Sequence, residues 1–327
     1  MSTATAEHAL IAHQGIGDQF TGVYYVEQFF IKLTVNGKEY TDMVLRDKSG
    51  SRSVKAWTKL TGIEKGEFVF VSARVEDYQG APSIIAKNVN PEEAPENLSN
   101  YIAVYDDAGD NVELFDTLQA ELTTLCANIS DDTPILLVEE VFKSGKLFAT
   151  FIAAPGSAKP HYGRQGGLLA RTVRVAKMAH NLAGDYDLTD VEQAVMLAGG
   201  LLHRLGSVDA FAFQDCAPVS TLKGELLGSG NLSMMRLAPS IRRTVEAAQK
   251  DGKTIKQDTL IRILHVIASH DSACVKPKTR EALLLSSCVK NDDDLVEAMD
   301  FIANDLNEQE EFTAFDPATK RRYYRGA

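Results

Sequence analysis

The sequence predicts an α+β multidomain chain in which a small five-stranded β-barrel precedes an all-α domain. Three observations predict it. Residues 17–90 hold five runs rich in β-branched and aromatic residues, separated by short turns. From His161 onward, apolar residues recur at helical spacing almost without a break. Between these stretches, the polar, Pro-containing NPEEAPENLSN reads as a linker.

Residues 1–16 read as a short helix or loose arm. FTGVYYVEQFFIKLTV is the first strand, and NGK turns it into EYTDMVLRD. KSGS then leads to RSVKAW. After a link around Thr61 come EFVFVSARVEDY, a QGAP turn and SIIAKNVN. Residues 111–130 read as an amphipathic helix, with Val112, Leu114, Phe115, Leu118, Leu122 and Leu125 at helical spacing. ILLVEEVFKSGKLFATFIAAPGS adds one or two helices closed by a Pro-Gly turn. Later breaks fall at Gly184, Gly206, residues 228–230 and residues 251–252. The expected division is an arm over 1–16, a barrel over 17–90, an acidic helix-bearing linker over 91–160, a helical domain over 161–305 and a tail over 306–327.

No apolar run approaches the roughly 20 residues needed to span a bilayer, so no membrane partner is expected. The N-terminus lacks the basic stretch and apolar core of a secretory signal. Cys126, Cys216, Cys274 and Cys288 form no CxxC pair and fit a reducing, cytoplasmic setting. The net charge of −11 argues against a polyanionic partner until its distribution is read. Residues 17–90 carry 10 basic against 9 acidic side chains, 91–160 carry 3 against 13, and 161–290 carry 17 against 12. The acidity is concentrated in the middle and before the tail, which leaves local positive surface for nucleic acid.

The run GVYYVEQFFIKLTVNGKEYTDMVLRDKSGSRSVKAW carries a strand, then NGK-x-Y, then L-x-D-x-[ST]-G, then a strand ending in Trp. The matching residues are Asn36, Gly37, Lys38, Tyr40, Leu45, Asp47, Ser49, Gly50 and Trp57. This pattern resembles the opening of OB-folds that bind nucleic acid. The resemblance implies a curved strand face on which bases stack. Tyr24, Tyr40 and Tyr78 are the candidates for exposed stacking, and Trp57 stands between Lys55 and Lys59. Phe68 and Phe70 read as barrel core.

The segments GGLLART, LLHRLGS, GELLGS and SHD follow one another through the second half of the chain. In that order they are similar to the HD-domain phosphohydrolases, and with the preceding barrel they resemble the YhaM-type 3′-to-5′ exoribonucleases over roughly residues 17–300. Such enzymes hold divalent metals with His and Asp, and the metal activates a water that attacks phosphorus. Carried onto this chain, Arg171 stands at a ligand His position, and His203 keeps its place. Arg204 replaces the defining Asp, Ser207 a Lys, and Ser229 a His. His270 is kept, Asp271 replaces the neighbouring His, and Lys290 aligns with the late Asp, with Asp292, Asp293 and Asp294 close by. His161 precedes the first signature at the pocket mouth.

A guanidinium offers no lone pair, so Arg171 and Arg204 do not ligate metal. The expectation is a pseudo-active-site pocket with no metal, no cofactor and no catalytic residue. Its arginines then either hold a phosphate bidentately or pair with Asp271, Asp209 or nearby Glu side chains as a structural network. The tail adds Lys320, Arg321, Arg322, Tyr323, Tyr324 and Arg325, cations interleaved with aromatics as single-strand binding requires. The alternative is a solubilising end or an arm folded onto acidic residues.

The expected function is therefore a non-catalytic binder of single-stranded DNA or RNA, working beside another protein of a replication or transcription assembly. The alternatives are an active metal-dependent nuclease or phosphohydrolase with a rearranged site, and a protein-interaction module.

Overall fold

The structure is a computed structural model and describes residues 8–34, 36–78, 81–102, 112–159, 161–271, 275–304, 311–317 and 319–325. The first seven residues of the arm, the Gln79 and Gly80 positions of the QGAP turn, Cys274 and residues 305–310 of the acidic run lie outside the described residues. The chain divides into two compact units: Met1–Val104 with Gln214–Ala217 and Ala298–Ala327, and Tyr105–Phe213 with Pro218–Glu297.

Five strands form the first unit: β1 (Gln19–Leu33), β2 (Glu39–Asp47), β3 (Gly50–Ala56), β4 (Phe68–Tyr78) and β5 (Ala81–Glu92). They close into a barrel in the order β1-β2-β3-β5-β4. Every pairing is antiparallel except β3 with β5, where Val54 lies opposite Ile84. This is the OB-type barrel expected from the sequence. Its interior follows from period-2 alternation. Phe20, Tyr24 and Val26 of β1 turn inward with Met43, Leu45, Val54, Val69, Val71 and Ile84. Full burial of each such side chain contributes on the order of 1.5–3 kcal/mol. A register shift between Val26 and Gln28 lets the long β1 curve from one partner to the next.

The β2–β3 turn is pinned by Asp47. Its Oδ1 accepts the Ser49 N–H at 2.7 Å, and its Oδ2 accepts the Ile11 N–H at 2.7 Å. Residues 11–13 consequently form a 3-10 turn, with Ile11 buried in the barrel core. The described part of the expected loose arm is thus docked.

Helices build the second unit: α1 (Val112–Ala127), α2 (Asp132–Phe142), α3 (Gly145–Ala153), α4 (Gly167–Ala183), α5 (Asp190–Leu202), α6 (Ser207–Ala210), α7 (Leu222–Lys250), α8 (Gln257–Ser269) and α9 (Arg280–Asn304), the last of which belongs to this unit as far as Glu297. Leu118, Leu122, Leu137, Val141 and Phe151 share one core with α4, α5 and α8. Residues 112–153 are therefore integral to the helical core, which corrects the expected linker over 91–160. A two-stranded hairpin, β6 (Phe211–Gln214) and β7 (Ala217–Ser220), interrupts the helices expected over 161–305. The expected break at residues 228–230 is a kink inside α7, where Gly228 has φ +71°.

Two packing features position the site. Thr189 and Glu192 form a reciprocal capping box that fixes the start of α5. Gly199 lets α5 lie directly on α8, because a Cβ there would fall 2.3 Å from Val266 Cγ1. His203 ends α5 and His270 ends α8, so this contact brings the two histidines together.

Candidate functional site

Four of the expected stacking and basic residues meet on the barrel. Tyr40, Lys55, Trp57 and Tyr78 line a groove of about 300 Å³ together with Leu33 and Ile85. The Tyr40 and Trp57 rings lie 5.4 Å apart, and Lys55 Nζ stands 5.7 Å from the Tyr78 ring centre. Trp57 is 57% exposed and Tyr78 59%. Large aromatic faces held open beside a lysine suit a stacked base and its phosphate. Lys59 instead pairs with Glu39 at 3.0 Å, outside the groove lining.

Tyr24 corrects the sequence reading. It is fully buried in the barrel, and its hydroxyl donates to the Ala9 carbonyl at 2.6 Å. Burial, then the Asp47 charge, raises its pKa. It is a core residue with a satisfied polar end, unavailable for stacking.

The tail is a small hairpin, with Phe312 bridging Tyr324 and Asp316 bridging Arg321. Tyr323 donates its backbone N–H to Thr313 Oγ1 at 2.9 Å and packs 6.0 Å from Phe301. Arg322 Nε donates to the Thr313 carbonyl at 2.8 Å. Lys320, Arg321 and Tyr324 stay exposed, whereas Tyr323 and Arg325 are half-buried. The tail therefore presents fixed cations rather than a free arm.

The helical unit gathers His203, His270, Arg171 and Arg204. The two imidazole rings lie 5.0 Å apart, edge to face. Each Nδ1 is 2.7 Å from a carbonyl one turn back, Gly200 O for His203 and Ile267 O for His270. Only an Nδ1–H donor satisfies that contact, which leaves both Nε2 atoms as bare lone pairs. Both Nε2 atoms are buried and have no hydrogen-bond partner among the described residues. Burial lowers the pKa of His203 well below its ordinary value, reinforced by His270 and Arg204. His270 is pushed down to about 4 by burial and then by the Arg204 charge. Both rings are neutral at neutral pH.

Arg171 extends from α4 to α9, where Asp293 accepts from its Nη2 and Asp292 Oδ2 lies 3.9 Å from its Nε. Arg204 Nη2 lies 3.8 Å from Asp293 Oδ2. Burial, then the neighbouring Arg171, brings Arg204 down to about 10. Asp292 accepts the Tyr162 hydroxyl at 2.9 Å, and both Arg171 and Arg174 stack on the Tyr162 ring. Tyr162 and Arg174 were not among the expected pocket residues, whereas Asp292 and Asp293 are carboxylates that the sequence places close to Lys290.

The other expected residues lie around this group. His161 packs edge-on against Tyr162 at 4.8 Å. Ser229 is half-buried beside Gly230, where an added Cβ would come 3.4 Å from His270 Cε1. Asp271 is exposed and acts on Arg204 through its charge. Lys290 corrects the expected alignment: it is exposed on α9, and Asp292 turns inward instead.

A metal fits these residues poorly. The paired Nε2 atoms are competent donors, but among the described residues no three His, Cys, Asp or Glu side chains converge on one point. The Arg171 and Arg204 charges already act on both imidazoles and would repel a dication held there. Two arginines stand here, and their carboxylates are engaged with them.

The fold and site define a two-module chain, an OB-type barrel joined to a helical domain with a buried imidazole pair. Its relatives are 3′-5′ exoribonucleases. The chain is 25% identical to the 3′-5′ exoribonuclease YhaM of Bacillus velezensis over 263 residues, 78% of this chain and 77% of that protein. The Bacillus subtilis protein of the same name gives the same identity and coverage. The Oceanobacillus iheyensis protein is 23% identical over 284 residues, 84% of each chain. No protein-family model matches. The second OB-fold domain of replication protein A from Methanococcus maripaludis covers 28% of this chain at a TM-score of 0.23 and 18% identity. The barrel assignment rests on strand order and not on that likeness.

The relatives overturn two expectations. Proteins similar over three quarters of the chain are named as ribonucleases, so the reading as a non-catalytic binder, and as no enzyme, is corrected.

Proposed function

We propose that this chain is a ribonuclease that shortens single-stranded RNA from its 3′ end through a rearranged site. The observation that carries the reading is the His203–His270 pair, two neutral imidazoles with bare Nε2 atoms beside two arginines. A neutral imidazole accepts the proton of an attacking water, and guanidinium groups neutralise the phosphate oxygens. The new bond is water oxygen to phosphorus, the broken one phosphorus to the 3′ oxygen, and the water proton passes first to Nε2 and then to the departing oxygen, which leaves as the 3′-hydroxyl of the shortened strand. The similarity to named 3′-5′ exoribonucleases supports the RNA substrate and the direction. The Tyr40–Trp57–Tyr78 groove supplies the strand-binding surface.

No helix among the described residues is long and apolar enough to cross a membrane. The free thiols of half-buried Cys126 and buried Cys216 and Cys288, each raised to about 11 chiefly by burial, support a reducing cytoplasmic setting.

The test is the full chain with a 5′-labelled single-stranded RNA, with Mn²⁺, with Mg²⁺ and with EDTA. The expected result is a ladder that shortens from the 3′ end and is abolished by His270→Asn. Intact RNA under all three conditions overturns the reading.

A further inference from the structure

Four polar atoms around the imidazole pair are buried and have no hydrogen-bond partner among the described residues: His203 Nε2, His270 Nε2, Arg171 Nε and Arg204 Nε. Buried polar atoms are ordinarily paired, so four orphans in one cluster point to a missing ligand. The orphans divide by chemistry. The two Nε–H groups are cationic donors and require acceptor oxygens. The two imidazole nitrogens are lone pairs and require a donor. A metal satisfies the imidazoles and is repelled by the arginines. A carboxylate satisfies the arginines and opposes the imidazoles.

We propose that this cluster is a binding site for a phosphate monoester in its singly protonated form. The inference deepens the ribonuclease reading and rests on it for the origin of the ligand. A monoester keeps one P–OH below its second pKa of about 6, and two bare imidazole lone pairs favour retaining that proton when the anion binds near neutral pH. The oxygens accept from Arg171 and Arg204, and the P–OH donates to an imidazole Nε2. A phosphodiester has no such hydroxyl, so the site holds a terminal phosphate or the released nucleotide, the product of the cleavage, more tightly than the linkage it cuts.

Asp293 is the residue the ligand displaces. It takes both arginines by their Nη2 atoms, yet it is 46% exposed and leaves both Nε–H groups unsatisfied. Asp292 stays as the buried counter-charge, held by Tyr162. Arg171 rests on the Tyr162 ring and the half-buried Arg204 is held near Asp293, so both guanidinium groups are already in place to receive an anion.

The experiment titrates the full chain, in EDTA, with inorganic phosphate, with a nucleoside 5′-monophosphate and with a 3′-phosphorylated oligonucleotide. Calorimetry and ¹⁵N NMR of the arginine Nε–H groups read the binding. Saturable binding is expected for the ligands carrying a monoester or free phosphate. The Arg171 and Arg204 Nε–H resonances should shift, and Arg204→Gln should weaken affinity at least tenfold. Arg171→Lys, which keeps the charge, serves if Arg204→Gln does not fold, and should also weaken binding. A response to the nucleotide alone identifies released product as the ligand; a response to the oligonucleotide alone identifies the strand end. No Nε–H shift at millimolar ligand, or binding only after Mn²⁺ is added, overturns the inference. RNA shortened without anion binding defeats this site and leaves the ribonuclease reading standing. Anion binding without RNA shortening does the reverse.

Discussion

His203 and His270 occupy the same structural position at the ends of two packed helices, each with its Nδ1 2.7 Å from a carbonyl of the preceding turn. That equivalence makes their acid sensitivity predictable. Burial holds the folded-state pKa of His270 near 4, against about 6.5 when unfolded. Below pH 6.5 the unfolded chain therefore binds more protons than the folded one. Stability is full above pH 6.5 and falls as the pH drops toward 4. For His270 the loss is on the order of 3 kcal/mol. Denaturant unfolding of the wild type and of His270→Asn between pH 4 and 7.5 measures it, and the variant should show the shallower slope.

Trp57→Ala should weaken binding to a short single-stranded RNA by about 1–3 kcal/mol, roughly 5- to 150-fold. Its dependence on salt should not change, since stacking releases no counterions. Lys55→Ala should do the opposite, with a smaller loss and a reduced salt slope. Fluorescence anisotropy across a salt series separates the two.

Gly199→Ala places a methyl 2.3 Å from Val266 Cγ1. Overpacking of this kind costs about 1–3 kcal/mol. A lower denaturant midpoint is expected, together with loss of RNA shortening, because the two histidine-bearing helix ends are pushed apart.

Asp47→Ala removes the acceptor for two backbone N–H groups, those of Ile11 and Ser49. Each buried unsatisfied donor costs about 1–3 kcal/mol. Hydrogen exchange should show residues 11–13 and the β2–β3 turn losing protection before the rest of the barrel.

How much of this was legible in the sequence differs by element. The barrel was readable because its strands are long, its turns short and its aromatic and β-branched residues dense. The register within β1 was also present: Phe20, Tyr24 and Val26 share one face by simple alternation, which places Tyr24 inside. The expectation of an exposed Tyr24 came from residue type rather than from that alternation. Arg171, His203, Arg204 and His270 were found through short signatures tied to helix ends. Asp292 was visible as a neighbour, but the signature alignment favoured Lys290. The helical period would have found it, since Ala282, Leu285, Val289, Asp292 and Val296 form one buried stripe. Tyr162 and Arg174 carry no such signal, because their roles arise only when α4 and α9 meet. The tail hairpin was equally hidden, as its pairing depends on Thr313 and on cross-bridges between residues far from any strand pattern.

The close contact at Gly199 has a mechanical consequence. Each imidazole is fastened to its own helix by a short bond to the main chain, so neither ring can swing to compensate for a change in helix spacing. The gap between the rings is therefore a caliper for the crossing of α5 and α8. A slide of either helix by an ångström opens the gap by a similar amount and alters what one object can touch both nitrogens at once. Pressure or a distant substitution that shifts this crossing would register first in the imidazole resonances, well before any helix unwinds.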